Sequence, residues 1–326
     1  MPVNSAPTKG VLRVGSRDSK LALIQTQLVV DVLQKEYPLL HIEILTMKTI
    51  GDKIQDVALN KFGDKGLFTK ELELALEANH IDLVVHSLKD MPTTLPANMA
   101  LAAITEREDP RDALVMSPRH TYRSLDELPP GSVVGTGSVR RVAQLRRLYP
   151  QLEFMDIRGN LNTRLAKLDA EDSPFDALVL AVAGMARLGL GHRIAQRIDP
   201  LLHAVGQGAL GIEIRADDQN TRQVAMCLNH GATAMACAAE RELMRVLEGG
   251  CSVPIGAVAH WDEHSSRLEL KATVVSPDGQ HAVEAQGQAT ADGEEGARAL
   301  GSEVAAMMRE RGADRILSAI ERNSPK

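Results

Sequence analysis

Val11-Leu12-Arg13-Val14-Gly15 alternates apolar and polar positions and ends at a glycine, the pattern of a short strand. Residues 16–19 follow as a turn, with Ser19 placed to cap a helix. Leu21, Ile24, Leu28 and Val32 then recur at helical spacing and predict one buried face. Residues 41–47 alternate again and complete a β-α-β unit.

The same style continues outward. The sequence predicts a helix over 68–79 and a buried strand over 82–86, with His86-Ser87-Leu88-Lys89-Asp90-Met91-Pro92 as a loop at the strand's carboxyl end. It predicts strands over 132–137, 152–157 and 177–182, a helix from the Ser138 cap to Leu148, and a helix over 160–168. Strands alternating with helices imply parallel sheets with ligands outside the strands' carboxyl ends. The last hundred residues read as a small α+β domain: a helix over 233–247, a strand over 268–274, a turn at Pro277-Asp278-Gly279, a partner strand over 281–288, then helices. Residues 48–66 hold three glycines and four lysines with little apolar periodicity, which reads as a long mobile, functional loop.

Composition removes several classes of function. The chain has 326 residues, enough for two or three domains, and 44% are hydrophobic, which excludes a disordered or fibrous chain. Aromatics are 2% and net charge is −6, which argues against a nucleic-acid stacking surface or a general polyanion binder. The longest apolar run, residues 177–186, is too short to span a bilayer. Cys227, Cys237 and Cys251 are too few for a disulfide framework and lack metal-ligand spacing, so no metal is expected. The polar N-terminus has no signal-peptide core, and the expected compartment is the reducing cytoplasm.

Charge is the clearest local anomaly. Residues 134–167 carry seven basic and two acidic side chains, a net +5 inside a chain of net −6. Arg140 and Arg141 fall in the first turn of a helix, where the macrodipole opposes cations, so an anion is expected at that end. Arg17 and Arg158 follow strand ends, and several guanidiniums there describe a cleft for a ligand with many carboxylates or phosphates. The competing reading is a solvated basic face with surface ion pairs, the one preferred for Arg146 and Arg147. Asp90, at a strand's mouth, is placed to stabilise a cation or move a proton; its alternative is capping a turn. His86 reads as a hydrogen-bonded core residue rather than a base. Cys251 lies in a glycine-flanked turn open to close ligand approach, whereas Cys227 and Cys237 read as core.

Seven segments together resemble the porphobilinogen deaminase family: Arg13-Val14-Gly15-Ser16-Arg17-Asp18-Ser19, Gly66-Leu67-Phe68-Thr69-Lys70-Glu71-Leu72, Val85-His86-Ser87-Leu88-Lys89-Asp90, Gly135-Thr136-Gly137-Ser138-Val139-Arg140-Arg141, Arg158-Gly159-Asn160-Leu161-Asn162-Thr163-Arg164, Ala204-Val205-Gly206-Gln207-Gly208-Ala209 and Glu248-Gly249-Gly250-Cys251-Ser252-Val253-Pro254. They stand in family order over nearly the whole chain.

The resemblance implies an α/β fold of two periplasmic-binding-protein-like lobes and a C-terminal α+β domain. Their expected bounds are 9–105 plus about 206–226, 106–205, and 227–326. It implies a monomeric transferase that joins four porphobilinogens head to tail, releases ammonia and yields hydroxymethylbilane for tetrapyrrole and heme biosynthesis. The cofactor implied is dipyrromethane, attached covalently at Cys251. By family position Asp90 is catalytic, and Ser87, Lys89, Arg140, Arg141, Thr136 and Ser138 bind cofactor. Arg17, Arg158, Arg164, Arg187, Lys61 and Lys65 bind substrate. Phe68 packs on a pyrrole ring or in the core. Gly137 replaces a common serine and Ile50 a common polar residue; neither departure touches Asp90, Cys251 or the arginines. Two rivals stand beside this reading. One is an anion-binding protein without chemistry. The other is a cysteine hydrolase pairing Cys251 with His86 or His260.

Overall fold

The computed structural model describes residues 10–49, 69–247 and 253–323. Three sheets organise them. The first is ordered β2-β1-β3-β10-β4, with β1 (Val11–Arg17), β2 (His41–Met47), β3 (Leu83–Ser87), β4 (Met99–Ile104) and β10 (Leu210–Arg215). β1 runs parallel to β2 and β3, and β10 is antiparallel to both β3 and β4. The second is ordered β7-β6-β8-β5-β9, with β5 (Asp112–Met116), β6 (Val133–Gly135), β7 (Glu153–Met155), β8 (Ala177–Ala181) and β9 (Gln196–Ile198). Here too three strands are parallel and β5 is antiparallel to both its neighbours. The two lobes therefore share one plan. The chain crosses between them twice, through residues 105–111 and 199–209. The third sheet is an antiparallel meander of β11 (Ile255–Asp262), β12 (Arg267–Val275) and β13 (Ala282–Thr290).

Helices flank these sheets: α1 (Lys20–Glu36), α2 (Lys70–Glu77), α3 (Val139–Leu148), α4 (Leu161–Asp169), α5 (Val182–Arg187), α6 (Gln219–Ala225), α7 (Gly231–Val246), α8 (Gly293–Glu310) and α9 (Ala313–Asn323). Their starts follow local chemistry. The side chains of Ser19, Ser138 and Asn160 accept the backbone N–H groups of Ala22, Arg141 and Thr163. The core of the C-terminal domain is aliphatic, with Leu243, Leu270, Val304 and Met308 at its centre.

Two expectations are corrected. The buried face of α1 is Ala22, Gln25, Thr26, Val29 and Leu33, while Leu28 and Val32 are each 46% exposed. The cause is polar pairing beneath the helix: Gln25 Nε2 donates to Ser87 Oγ at 2.9 Å, and Thr26 Oγ1 to Ser16 Oγ at 2.9 Å. Cys237 is fully buried as expected, but Cys227, in the turn after α6, is exposed. His86 is a core residue, with Nε2 2.8 Å from Glu213 Oε2 on β10.

The crossings are tied to each other and to all three units. Glu108 N donates to Gly208 O, and Thr105 N to Leu210 O. Arg107 forms a bidentate pair with Glu240 of α7 at 2.8 and 2.9 Å. Glu240 also accepts from Gly206 N and from Ala259 N of β11. At the head of β5, the buried Asp112 carboxylate accepts from Arg140 Nη2 at 2.8 Å, Arg141 Nη2 at 2.7 Å and Gln207 Nε2 at 2.9 Å.

Burial pushes the Asp112 carboxyl upward, but Arg140, Arg141 and Gln207 outweigh it and hold the group far below the usual carboxylate range. A depressed carboxyl adds stability above its unfolded value, about 4, and that stability fades as pH falls toward the folded value. Asp112→Asn leaves two buried guanidiniums without their anion and is expected to cost about 3–5 kcal/mol near neutral pH. Its stability should also decline less than the wild type's between about pH 4 and pH 2. Urea unfolding across that range checks both; a neutral-pH loss under about 1 kcal/mol would contradict the role given to Asp112.

Candidate functional site

A cavity of about 790 Å³ lies between the lobes at the carboxyl ends of their parallel strands. Among the described residues, eight cationic side chains line it: Arg17, Lys20, Lys48 and Lys89 from the first lobe, and Arg141, Arg158, Arg164 and Arg187 from the second. The acids on its wall are Asp18 and Asp90.

Local structure explains each position. β3 ends at Ser87, and a single 3₁₀ turn, Leu88–Asp90, carries the next residues to the cleft. Leu88 is buried, and its backbone N–H donates to Ala209 O at 3.0 Å, so the turn is pinned from below. Lys89 and Asp90 remain on the wall. Lys89 Nζ donates to Gln207 Oε1 at 3.4 Å. Arg158 follows β7, its Nε 2.7 Å from Asp156 Oδ2. Arg164 lies in the first turn of α4, its Nε bonded to Gly159 O at 2.8 Å. Arg187 ends α5, and its Nη2 donates to Gly208 O at 2.6 Å.

These cations crowd one another in a partly dry space. Burial, with Arg141 and Arg158 adding repulsion, pushes Arg164 down to about 10. Burial lowers Lys89 to about 8; Asp90 works against the shift and Arg141 adds to it. Burial likewise lowers Arg187, and Glu108 opposes it. Carbonyl partners orient the Arg164 and Arg187 guanidiniums without neutralising them. Such a wall accepts a ligand carrying several carboxylates.

The structure thus brings together Arg17, Ser87, Lys89, Asp90, Arg141, Arg158, Arg164 and Arg187. It does not bring Arg140, Thr136 or Ser138 to the cleft wall. Arg140, in the first turn of α3, is buried and bonded to Asp112 and Leu202 O. Thr136 is buried, and its Oγ1 accepts the Ser138 N–H. The Ser138 side chain caps α3. Cys251, Lys61, Lys65, Phe68, Ile50 and most of the 48–66 loop lie outside the described residues. Gly137 sits where a Cβ would come within 3.0 Å of Ile157 O and 3.3 Å of Asp156 Oδ1, so a side chain there would press on the Arg158 support.

Sequence reasoning missed Gln25, Lys20, Lys48 and Gln207 on this wall. Only Gln207 carried a signal, its place between two glycines. Among the described residues no group of three or more His, Cys, Asp or Glu is arranged to hold a metal ion, and no helix is long and apolar enough to cross a membrane.

Residues 12–223 match the family model for the porphobilinogen deaminase dipyromethane cofactor binding domain, and residues 234–310 match that for the porphobilinogen deaminase C-terminal domain. The porphobilinogen deaminase of Gloeobacter violaceus is 53% identical over 310 residues, covering 94% of this chain and 93% of that one. That of Nostoc sp. is 51% identical over 311 residues, covering 95% and 94%. Among solved structures, the methionine binding protein MetQ is similar at 15% identity with a TM-score of 0.44, covering 67% of this chain and 90% of that one. Two family models in order and relatives half identical from end to end place this chain in the porphobilinogen deaminase family, transferases of tetrapyrrole and heme biosynthesis with a dipyrromethane cofactor.

Proposed function

We propose that this chain joins four porphobilinogens head to tail and releases the tetramer as hydroxymethylbilane. Each addition forms one carbon–carbon bond from a substrate methylene to a free pyrrole carbon. One ammonia leaves, with a proton lost from that carbon; water cleaves the finished chain from the enzyme. The observation that carries the reading is the cation-lined cleft with Asp90 on its wall. Every pyrrole unit brings an acetate and a propionate, and the desolvated, mutually repelling Arg164, Arg141 and Arg158 fit such groups. Charge-assisted hydrogen bonds of this type contribute about 1.5–3 kcal/mol each.

The dipyrromethane, when bound, supplies the first free pyrrole carbon, and Cys251 is the residue we assign to hold it through a thioether. Arg17, Lys89, Arg141, Arg158, Arg164 and Arg187 bind and orient carboxylates. Asp90 faces the positive charge that develops on the substrate ring when ammonia leaves, and receives or returns the proton moved at the ring. Arg140 supports Arg141 from behind through Asp112. Ser87 on the wall, Lys61 and Lys65 remain proposed contacts, whereas Thr136 and Ser138 shape the start of α3. The proposed domain bounds are 9–105 with about 206–226, 106–205, and 227–326, in a cytoplasmic monomer.

The described geometry disfavours a hydrolase using His86, because that ring is buried in the first sheet and bonded to Glu213. A binding protein without chemistry would give Asp90 and Cys251 nothing to do.

Intact-mass measurement of protein from cells able to make porphobilinogen should show the chain heavier by two linked pyrrole units. Cys251→Ser should remove that increment, while serine at Cys227 or Cys237 should retain it. A bare-chain mass for the wild type would overturn the assignment of Cys251.

Asp90→Asn keeps size and hydrogen-bonding reach but removes the negative charge. It should retain the mass increment and bind substrate, yet lose about 10²–10³ in turnover. Single-turnover assays with porphobilinogen decide this; a near-normal rate would rule out the electrostatic role of Asp90.

A further inference from the structure

The segment Ala204-Val205-Gly206-Gln207-Gly208-Ala209 has no part in the chemistry proposed above, yet its central side chain is 1% exposed and touches both lobes. Gln207 Nε2 donates to Pro110 O at 2.6 Å and to Asp112 Oδ1 at 2.9 Å. Both partners are acceptors only, so they fix which end of the amide faces them. Oε1 is thereby turned toward Lys89 Nζ, 3.4 Å away. One amide spans the first crossing, the head of β5 and the turn that bears Asp90.

The backbone is committed to delivering that side chain. Gly206 and Gly208 have φ of +70° and +92°, in the region that favours glycine. A Cβ on Gly206 would come 2.9 Å from Leu88 Cγ, at the root of the Asp90 turn, and one on Gly208 would strike the Glu108 carbonyl. The loop is sealed against both structures that its side chain connects.

We propose that Gln207 is a positioning residue: its amide holds the Lys89 ammonium, in its charged form, beside Arg141 at the lobe junction and so sets the Asp90 turn against the arginine wall of the second lobe. Among the described residues, the charged groups that act on Lys89 include Asp90, Arg141, Asp112 and Arg140. Burial and the two guanidiniums oppose its charge, and the two carboxylates favour it. To that balance the oriented Gln207 oxygen adds a neutral acceptor that favours the ammonium.

Gln207→Met keeps the volume and removes the amide. Gln207→Glu sets a carboxylate against Lys89 and also against Asp112. The direct readout is the titration of Lys89 by NMR of full-length holoenzyme labelled at lysine Cε, with the resonance assigned by Lys89→Met. The midpoint should fall by about half a pH unit or more in Gln207→Met and rise by about one unit in Gln207→Glu. The alkaline limb of the porphobilinogen turnover profile should move in the same directions, the arm of the test that rests on the proposed function. A Lys89 midpoint unchanged in folded Gln207→Met overturns the proposal. If that variant does not fold, an unchanged or lowered midpoint in Gln207→Glu does so. A wild type without turnover would refute the functional reading instead, and the NMR titration still decides the role of Gln207.

Discussion

Asp112 starts β5, the strand of the second sheet that runs antiparallel to both its neighbours, and directly follows the first crossing, where it is buried. A carboxylate there persists as an anion only when donors surround it. Arg140 and Arg141 supply them from the first turn of α3, where the helix dipole opposes cations. Asp112 resolves that conflict. The anion that the sequence demanded at this helix end is a side chain of the protein itself. Ser138 fixes the start of α3, from which Arg140 reaches Oδ2 and Arg141 reaches Oδ1, the oxygen that also accepts from Gln207. Arg141 then has its charge partly met from behind and still lines the cleft.

Two other cleft cations are held differently. Carbonyl groups aim Arg164 and Arg187 without cancelling their charge. A neutral acceptor costs the site none of its field, whereas a carboxylate would compete with an anionic ligand. This arrangement also explains how a chain of net −6 presents a strongly positive cleft: eight cations face two acids on its wall, the other acids lie elsewhere, and low-dielectric walls focus the local field.

Much of the strand and helix order was legible because it rests on local patterns. Ser19 and Ser138 announced two helix starts by their chemistry alone, and Asn160, read as the first residue of its helix, is that helix's cap. What failed depended on distant partners. β10 finds its place by pairing Leu210 with Ser87 and Gly211 with Ile104, and nothing in residues 210–215 names those strands. The buried face of α1 was misread because Gln25 and Thr26 lie inside and Leu28 and Val32 outside; Ser87 and Ser16, the residues that make this tolerable, are on other strands. The arginine cluster was visible as composition. Which guanidinium turns to the cleft and which to Asp112 depends on β5, β8 and the second crossing, which meet only in the folded chain.

The division of chemistry between the lobes gives the double crossing its meaning. Lys89 and Asp90 stand on the first lobe; Arg141, Arg158, Arg164 and Arg187 stand on the second. The first wall sets Asp90 among its own cations, the second bears four guanidiniums, and the proposed chemistry needs the two to face each other. A single linker would let the lobes twist about it and lose that register. Two side-by-side crossings, hydrogen-bonded through Glu108 and Gly208 and through Thr105 and Leu210, resist twist and leave bending as the soft motion. Under the function proposed above, that bending would set the width of a cleft that holds a growing polyanion.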